Sequence, residues 1–194
     1  LIGGVFYTAK LQTQPKARWL AYLSVSDVDR SAELARDRGG AVHIEPVDFP
    51  NRGRFAIVSD PQGAVVALLN SSAGDPADQE LEVGEWMWNE LWTSNTGAAF
   101  DFYRDLVGYE KEVFGAVEGQ DYWLMRKGDR RRAGMVKLPW QRVEPGWLPY
   151  VLVDDVREIA EKTNRLGGRV LLAPEGVHHN GSAVIADPGG AAIA

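Results

Sequence analysis

The chain contains no cysteine. That excludes disulfides, thiolate nucleophiles, and zinc or iron–sulfur centres built on thiolates. It does not choose a compartment: a reduced cytoplasm is the expectation, and a disulfide-free exported protein is equally compatible. Histidine is scarce, with three residues in 194, so an imidazole-rich metal centre has few places to form. No apolar run approaches the ~20 residues needed to span a bilayer, and no membrane partner is expected. Positive charge is in the minority, leaving a net charge of −6. A surface of that sign repels phosphate backbones, so nucleic acid is not an expected partner. The local exception is RKGDRRR, Arg126 to Arg132. It falls on a turn signal and reads either as a solvated hairpin tip or as a patch for phosphate or a partner.

What the chain has instead is a repetition. WLAYLSVSDVDRSAELARDRGG, from Trp19 to Gly40, returns as WLPYVLVDDVREIAEKTNRLGG, from Trp147 to Gly168. At one fixed offset Trp19 pairs with Trp147, Tyr22 with Tyr150, Val25 with Val153, Asp27 with Asp155, and Gly39-Gly40 with Gly167-Gly168. After a one-residue slip, Asp60-Pro61 and Gly63-Ala64 match Asp187-Pro188 and Gly190-Ala191. Two copies are too few for a solenoid and point to duplicated domains.

Each copy spells a βαβββ unit. WLAYLSV and WLPYVLV are aromatic and β-branched, as strands are. Asp27 and Asp155 stand where a helix N-cap belongs, and Asp155 to Glu158 has capping-box spacing. About eleven helix formers follow, and Gly-Gly supplies the left-handed residue that often ends a helix. AVHIEPV, RFAIVSD and GAVVALL predict three more strands, with Asp60-Pro-Gln-Gly63 as a type I turn between the last two. A middle segment follows the same plan in other letters. WMWNELWT predicts a strand and Asn95 a cap. Phe100, Tyr103, Leu106 and Val107 recur at helical spacing, and YEKEVFGA, DYWLMRK and AGMVKL predict strands.

The expected class is therefore α+β, with paired βαβββ modules forming cupped mixed sheets in two tandem domains. The expected boundaries are 1–72 for the first domain, 73–83 for the Gly-, Pro- and Ser-containing linker, and 84–194 for the second, with units at about 84–140 and 145–194. The opening IGGVF resembles AGMVK (Ala133 to Lys137), the last strand of the middle segment. The first domain is accordingly expected to be N-terminally incomplete, its first unit lacking.

Phe102-Tyr103 with Gly108, V-x-D-V at Val25 to Val28 and Val153 to Val156, Gly-Gly after the helix, and D-P-x-G-A near the unit end resemble the vicinal oxygen chelate superfamily of glyoxalase, bleomycin-resistance and extradiol dioxygenase proteins. The resemblance covers nearly the whole chain apart from the linker. It implies that two βαβββ units curl into an open cup, with His and Glu ligands entering from first and last strands. Carried over by position, the first-strand ligand falls at about Trp88, Leu148 and Leu20, and the last-strand Glu at about Ala67 and Ala194. Indole, isobutyl and methyl groups give a metal no donor. Only Glu90 offers a donor on these first strands. His43 reads as a half-exposed strand residue. His178 and His179 are adjacent in a loop and point opposite ways if extended. No metal and no cofactor are expected.

Strand alternation puts Trp88, Glu90 and Trp92 on one face, and Leu148, Tyr150 and Leu152 on one face of the last copy. Tyr22 holds the matching place in the first copy. The ligand-position mapping makes this face the cup, with an apolar, aromatic lining suited to a small flat molecule carrying one hydrogen-bonding group. The same side chains could equally fill a closed core. Glu90, among rings, is expected to have a raised pKa and is the candidate catalytic acid or base; a purely structural carboxylate is the alternative. Metal-free small-molecule binding, a metal-dependent enzyme of glyoxalase or extradiol dioxygenase type, and an interaction protein with closed cups all follow as readings. A monomer or homodimer is expected.

Overall fold

A computed structural model describes residues 17–78, 80–117, 119–138, 143–174 and 181–194. The first module runs β1 (Tyr22–Ser24), α1 (Val28–Asp37), β2 (Ala41–Phe49), β3 (Gly53–Ser59) and β4 (Val65–Ser71). The middle module runs β5 (Trp86–Thr93), α2 (Thr96–Val107), β6 (Glu110–Val117), β7 (Gln120–Lys127) and β8 (Arg130–Lys137). The last runs β9 (Gly146–Val151), α3 (Val156–Arg165), β10 (Arg169–Leu172), β11 (Val184–Ala186) and β12 (Ala192–Ile193). The βαβββ order predicted from the sequence is present three times, in an α+β fold. The largest departure is β1, which keeps three residues of the seven-residue WLAYLSV run.

The repeated letters do repeated mechanical work. Asp27 accepts the amide of Arg30 at 3.0 Å, and Asp155 those of Arg157 and Glu158 at 2.8 and 3.1 Å, so each caps its helix. The paired glycines serve two separate needs. Gly39 and Gly167 both have φ +82°, where a side chain would be strained. A Cβ on Gly40 would lie 2.3 Å from the Ser59 carbonyl oxygen, and one on Gly168 2.6 Å from that of Ala186. In both Asp-Pro turns the glycine amide returns to the aspartate carbonyl, Gly63 to Asp60 at 3.0 Å and Gly190 to Asp187 at 2.9 Å. The next alanine amide then bonds the aspartate side chain at 2.9 Å in each.

The chain forms two compact units. One comprises Leu20–Gln79 and Trp88–Trp147. In it β1 is parallel to β4 and the ladder continues β4-β3-β2, while β5 is parallel to β8 and continues β8-β7-β6. Both helices and the inner faces of both sheets share one core. Val28, Ala32 and Ala35 of α1 and Phe100, Phe102, Tyr103 and Leu106 of α2 meet Leu23, Val58 and Leu68 of one sheet and Leu91, Met125 and Met135 of the other. Asn95 caps α2 through the Ala98 amide at 3.1 Å, and Gly108, at φ +74°, ends it. The buried Tyr103 hydroxyl accepts from Trp147 Nε1 at 3.0 Å and donates to Asp60 Oδ2 at 3.3 Å. It thereby joins the first module's turn to the middle module's helix.

The other unit comprises Leu1–Trp19, Glu80–Met87 and Leu148–Ala194, of which the described part holds α3 and the β10-β11-β12 ladder. Ala194 donates to Pro149 at 2.9 Å, the counterpart of Ala67 donating to Ala21 at 2.9 Å in the first module. The tryptophans at the start of the two copies have different partners. Trp147 packs edge-on to Tyr103 at 5.2 Å, whereas Trp19 packs edge-on to Trp86 at 5.1 Å.

Candidate functional site

The middle module's sheet separates two environments. On β5, Leu91 and Thr93 point into the helix-covered core and are fully buried. Alternation therefore sends Trp88, Glu90 and Trp92 to the opposite face. Glu90 stands beside Gly134, its register partner on β8. This face carries a connected polar chain. Trp88 Nε1 donates to the Tyr122 hydroxyl at 3.2 Å, Tyr122 donates to Glu90 Oε2 at 2.7 Å, and Trp92 Nε1 donates to Glu90 Oε1 at 2.6 Å. Glu90 is 8% exposed, and a carboxylate so desolvated is sustained by donors on both oxygens. Burial, then the facing Glu90 carboxylate, pushes the Tyr122 phenol well above its ordinary range. Tyr122 thus stays a proton donor at neutral pH.

Gly134 makes the arrangement possible. A Cβ there would lie 1.9 Å from the Tyr122 hydroxyl and 3.0 Å from Trp88 Nε1. The phenol occupies the space that any other residue's side chain would claim.

Trp88, Glu90 and Trp92, all expected at the site, are brought together, and Tyr122 joins them. Tyr22 lies on β1 in the same compact unit and is 49% exposed, next to the fully buried Ala67 on β4. Leu148, Tyr150 and Leu152 belong to the other unit, where Leu148 is buried and the other two are half-buried. His43 is exposed and shares a 3.0 Å hydrogen bond with Ser59. His178, His179 and the opening IGGVF lie outside the described residues. The basic run straddles the β7–β8 hairpin, and its four arginines are each in an ion pair. Arg126 and Arg131 pair with Glu112, and Arg130 and Arg132 with Asp78.

A divalent cation needs several oxygen, nitrogen or thiolate donors at close range. The Glu90 face supplies one carboxylate, one phenol and two indole N–H groups that can only donate. Those residues do not fit a metal. No group of three or more His, Asp or Glu side chains able to hold an ion occurs among the described residues.

The fold is glyoxalase- and dioxygenase-like. Solved structures of similar fold include the Mn(II)-bound glyoxalase of Novosphingobium aromaticivorans, with TM-score 0.56, 19% identity, and coverage of 89% of this chain and 60% of that one. Another is the 2,2',3-trihydroxybiphenyl 1,2-dioxygenase of Sphingomonas wittichii RW1, with TM-score 0.52, 17% identity, and coverage of 92% and 70%. In sequence the chain is 33% identical over 174 residues to the Mycobacterium bovis protein named "Putative glyoxylase CFP32", covering 89% of this chain and 67% of that protein. It spans about two-thirds of the length of the curated relatives it matches. No family model matches it. On these similarities the chain belongs to the vicinal oxygen chelate superfamily of glyoxalase, bleomycin-resistance and extradiol dioxygenase proteins. No helix among the described residues is long and apolar enough to cross a membrane.

Proposed function

We propose that the Glu90 face binds a small, flat, largely apolar molecule without the help of a metal. The observation that carries this reading is the engagement of Glu90. Its two oxygens accept from Trp92 and Tyr122, and the neighbouring positions offer indole, glycine and valine rather than ligand side chains. Two half-buried indoles supply rigid apolar area at low entropic cost, and the Tyr122–Glu90 pair supplies one polar anchor. The domain division at 1–72 and 84–194 belongs to the same reading. So does its placement as a cytoplasmic monomer or homodimer.

The test uses 2-naphthol as the probe, with tryptophan fluorescence and calorimetry on the full chain. Saturable binding unchanged by EDTA, and weakened at least ~10-fold by Trp88→Ala, is the expected result. Stoichiometric manganese, iron or zinc in the purified protein, together with binding lost to EDTA, would overturn it. The relative named a glyoxylase favours a second reading, a metal-dependent enzyme in which Glu90 survives as a donor. That reading requires metal-dependent turnover that Glu90→Gln abolishes.

A further inference from the structure

The core-sharing unit holds a cleft lined by none of the residues of the Glu90 face. Its volume is about 440 Å³, within the range of small-molecule sites. Ser31 of α1, Asn70 of β4, Asp75 of the segment after β4, and Lys127 at the end of β7 form its polar wall. Val25 and Leu106, both buried, form an apolar floor.

Three features of the wall point to a ligand. Ser31 is 8% exposed, and it lines the cleft with a hydroxyl that bonds to no described residue. Lys127 is in no ion pair among the described residues, in contrast to Arg126, Arg130, Arg131 and Arg132 beside it, each of which is paired. Asp75 Oδ2 accepts from the Ser24 hydroxyl at 2.9 Å and meets no cation among the described residues. Lys127 and Asp75 therefore line one cleft with opposite charges and do not neutralise each other. A molecule that bridges them needs an anionic and a cationic end. The floor beneath leaves room for a short aliphatic body.

We propose that this cleft binds a free α-amino acid or a closely related amino-carboxylate. The ligand carboxylate lies on Lys127 and the Ser31 hydroxyl, and its ammonium lies on Asp75. The site is independent of the Glu90 face and stands or falls separately from it.

The experiment is heteronuclear NMR titration of the full nitrogen-15-labelled chain with L-serine, and in parallel with lactate and ethanolamine, which carry one charge each. The expected result is saturable shifts at Ser31, Gly74, Asp75 and Lys127 with L-serine at about millimolar Kd. Neither single-charge compound should match it. Lys127→Met and Asp75→Asn, both at exposed positions, should each weaken L-serine at least ~10-fold while circular dichroism stays unchanged. Ser31→Ala should weaken it by a smaller factor. Absence of saturable shifts in the cleft, lactate binding as tightly as L-serine, or undiminished binding in Lys127→Met would each overturn the proposal.

Discussion

Replacing Tyr103 by phenylalanine tests the basis of the shared core. The ring stays, and with it the edge-on contacts to Phe102 at 5.1 Å and to Trp147 at 5.2 Å. Only the hydroxyl goes. Two hydrogen bonds go with it: the 3.0 Å donation from Trp147 and the 3.3 Å donation to Asp60. Trp147 is buried, so its indole N–H is left without a partner, at a cost of about 1–3 kcal/mol. Asp60 keeps the amides of Gln62 and Ala64, both at 2.9 Å. The loss on its side is the smaller because the Tyr103 bond is long. The sum is a destabilisation of about 2–4 kcal/mol, read from urea denaturation as a lower midpoint at unchanged slope. A double-mutant cycle isolates the pair. Trp147→Phe should cost about 1 kcal/mol less in the Tyr103→Phe background than in the parent, since the donor it removes is already stranded. A loss below about 0.5 kcal/mol for Tyr103→Phe, or additive costs in the cycle, would refute the reasoning.

Gly134→Ala should destabilise by about 1–3 kcal/mol through overpacking, because the new methyl meets the Tyr122 hydroxyl. The same variant should lose 2-naphthol binding, and calorimetry beside urea denaturation separates the two effects. Alkaline pH acts on Tyr103 and Tyr122, whose phenols burial raises above the ordinary range. Their contribution is fully present below the unfolded value of about 10 and is lost above it, as the unfolded chain releases protons that the native state retains. Stability should therefore fall from about pH 10 upward, with tyrosinate absorbance appearing together with unfolding, and Tyr122→Phe should flatten the slope. Reversible titration of both phenols near pH 10 in the folded protein would contradict this.

The modules were legible because their punctuation is local. An aspartate before a helix, a Gly-Gly after it and an Asp-Pro-x-Gly turn each act within a few residues, and all three recur. Alternation along one strand was enough to group Trp88, Glu90 and Trp92. Tyr122 escaped because its face depends on pairing between strands. The tight β7–β8 turn pairs Lys127 with Arg130 and Arg126 with Arg131, and a regular ladder continued from there would turn Tyr122 toward the core with Met135. A register shift between Met125 and Arg126 puts Trp123 opposite Met135 and Leu124 opposite Gly134 instead, which delivers Tyr122 to Glu90. One extra residue in a ladder reverses every side chain beyond it, and composition carries no trace of that. The amino-acid cleft was also hidden, since its wall is gathered from four separated stretches of chain.

Trp147 opens the last module's text yet lodges in the core of the unit before it. A fragment trimmed at the apparent repeat boundary would lose the indole that Tyr103 holds and keep a hole in the piece meant to stand alone. Duplicated genes are often dissected where their copies begin; here that cut would remove a side chain on which the preceding core depends.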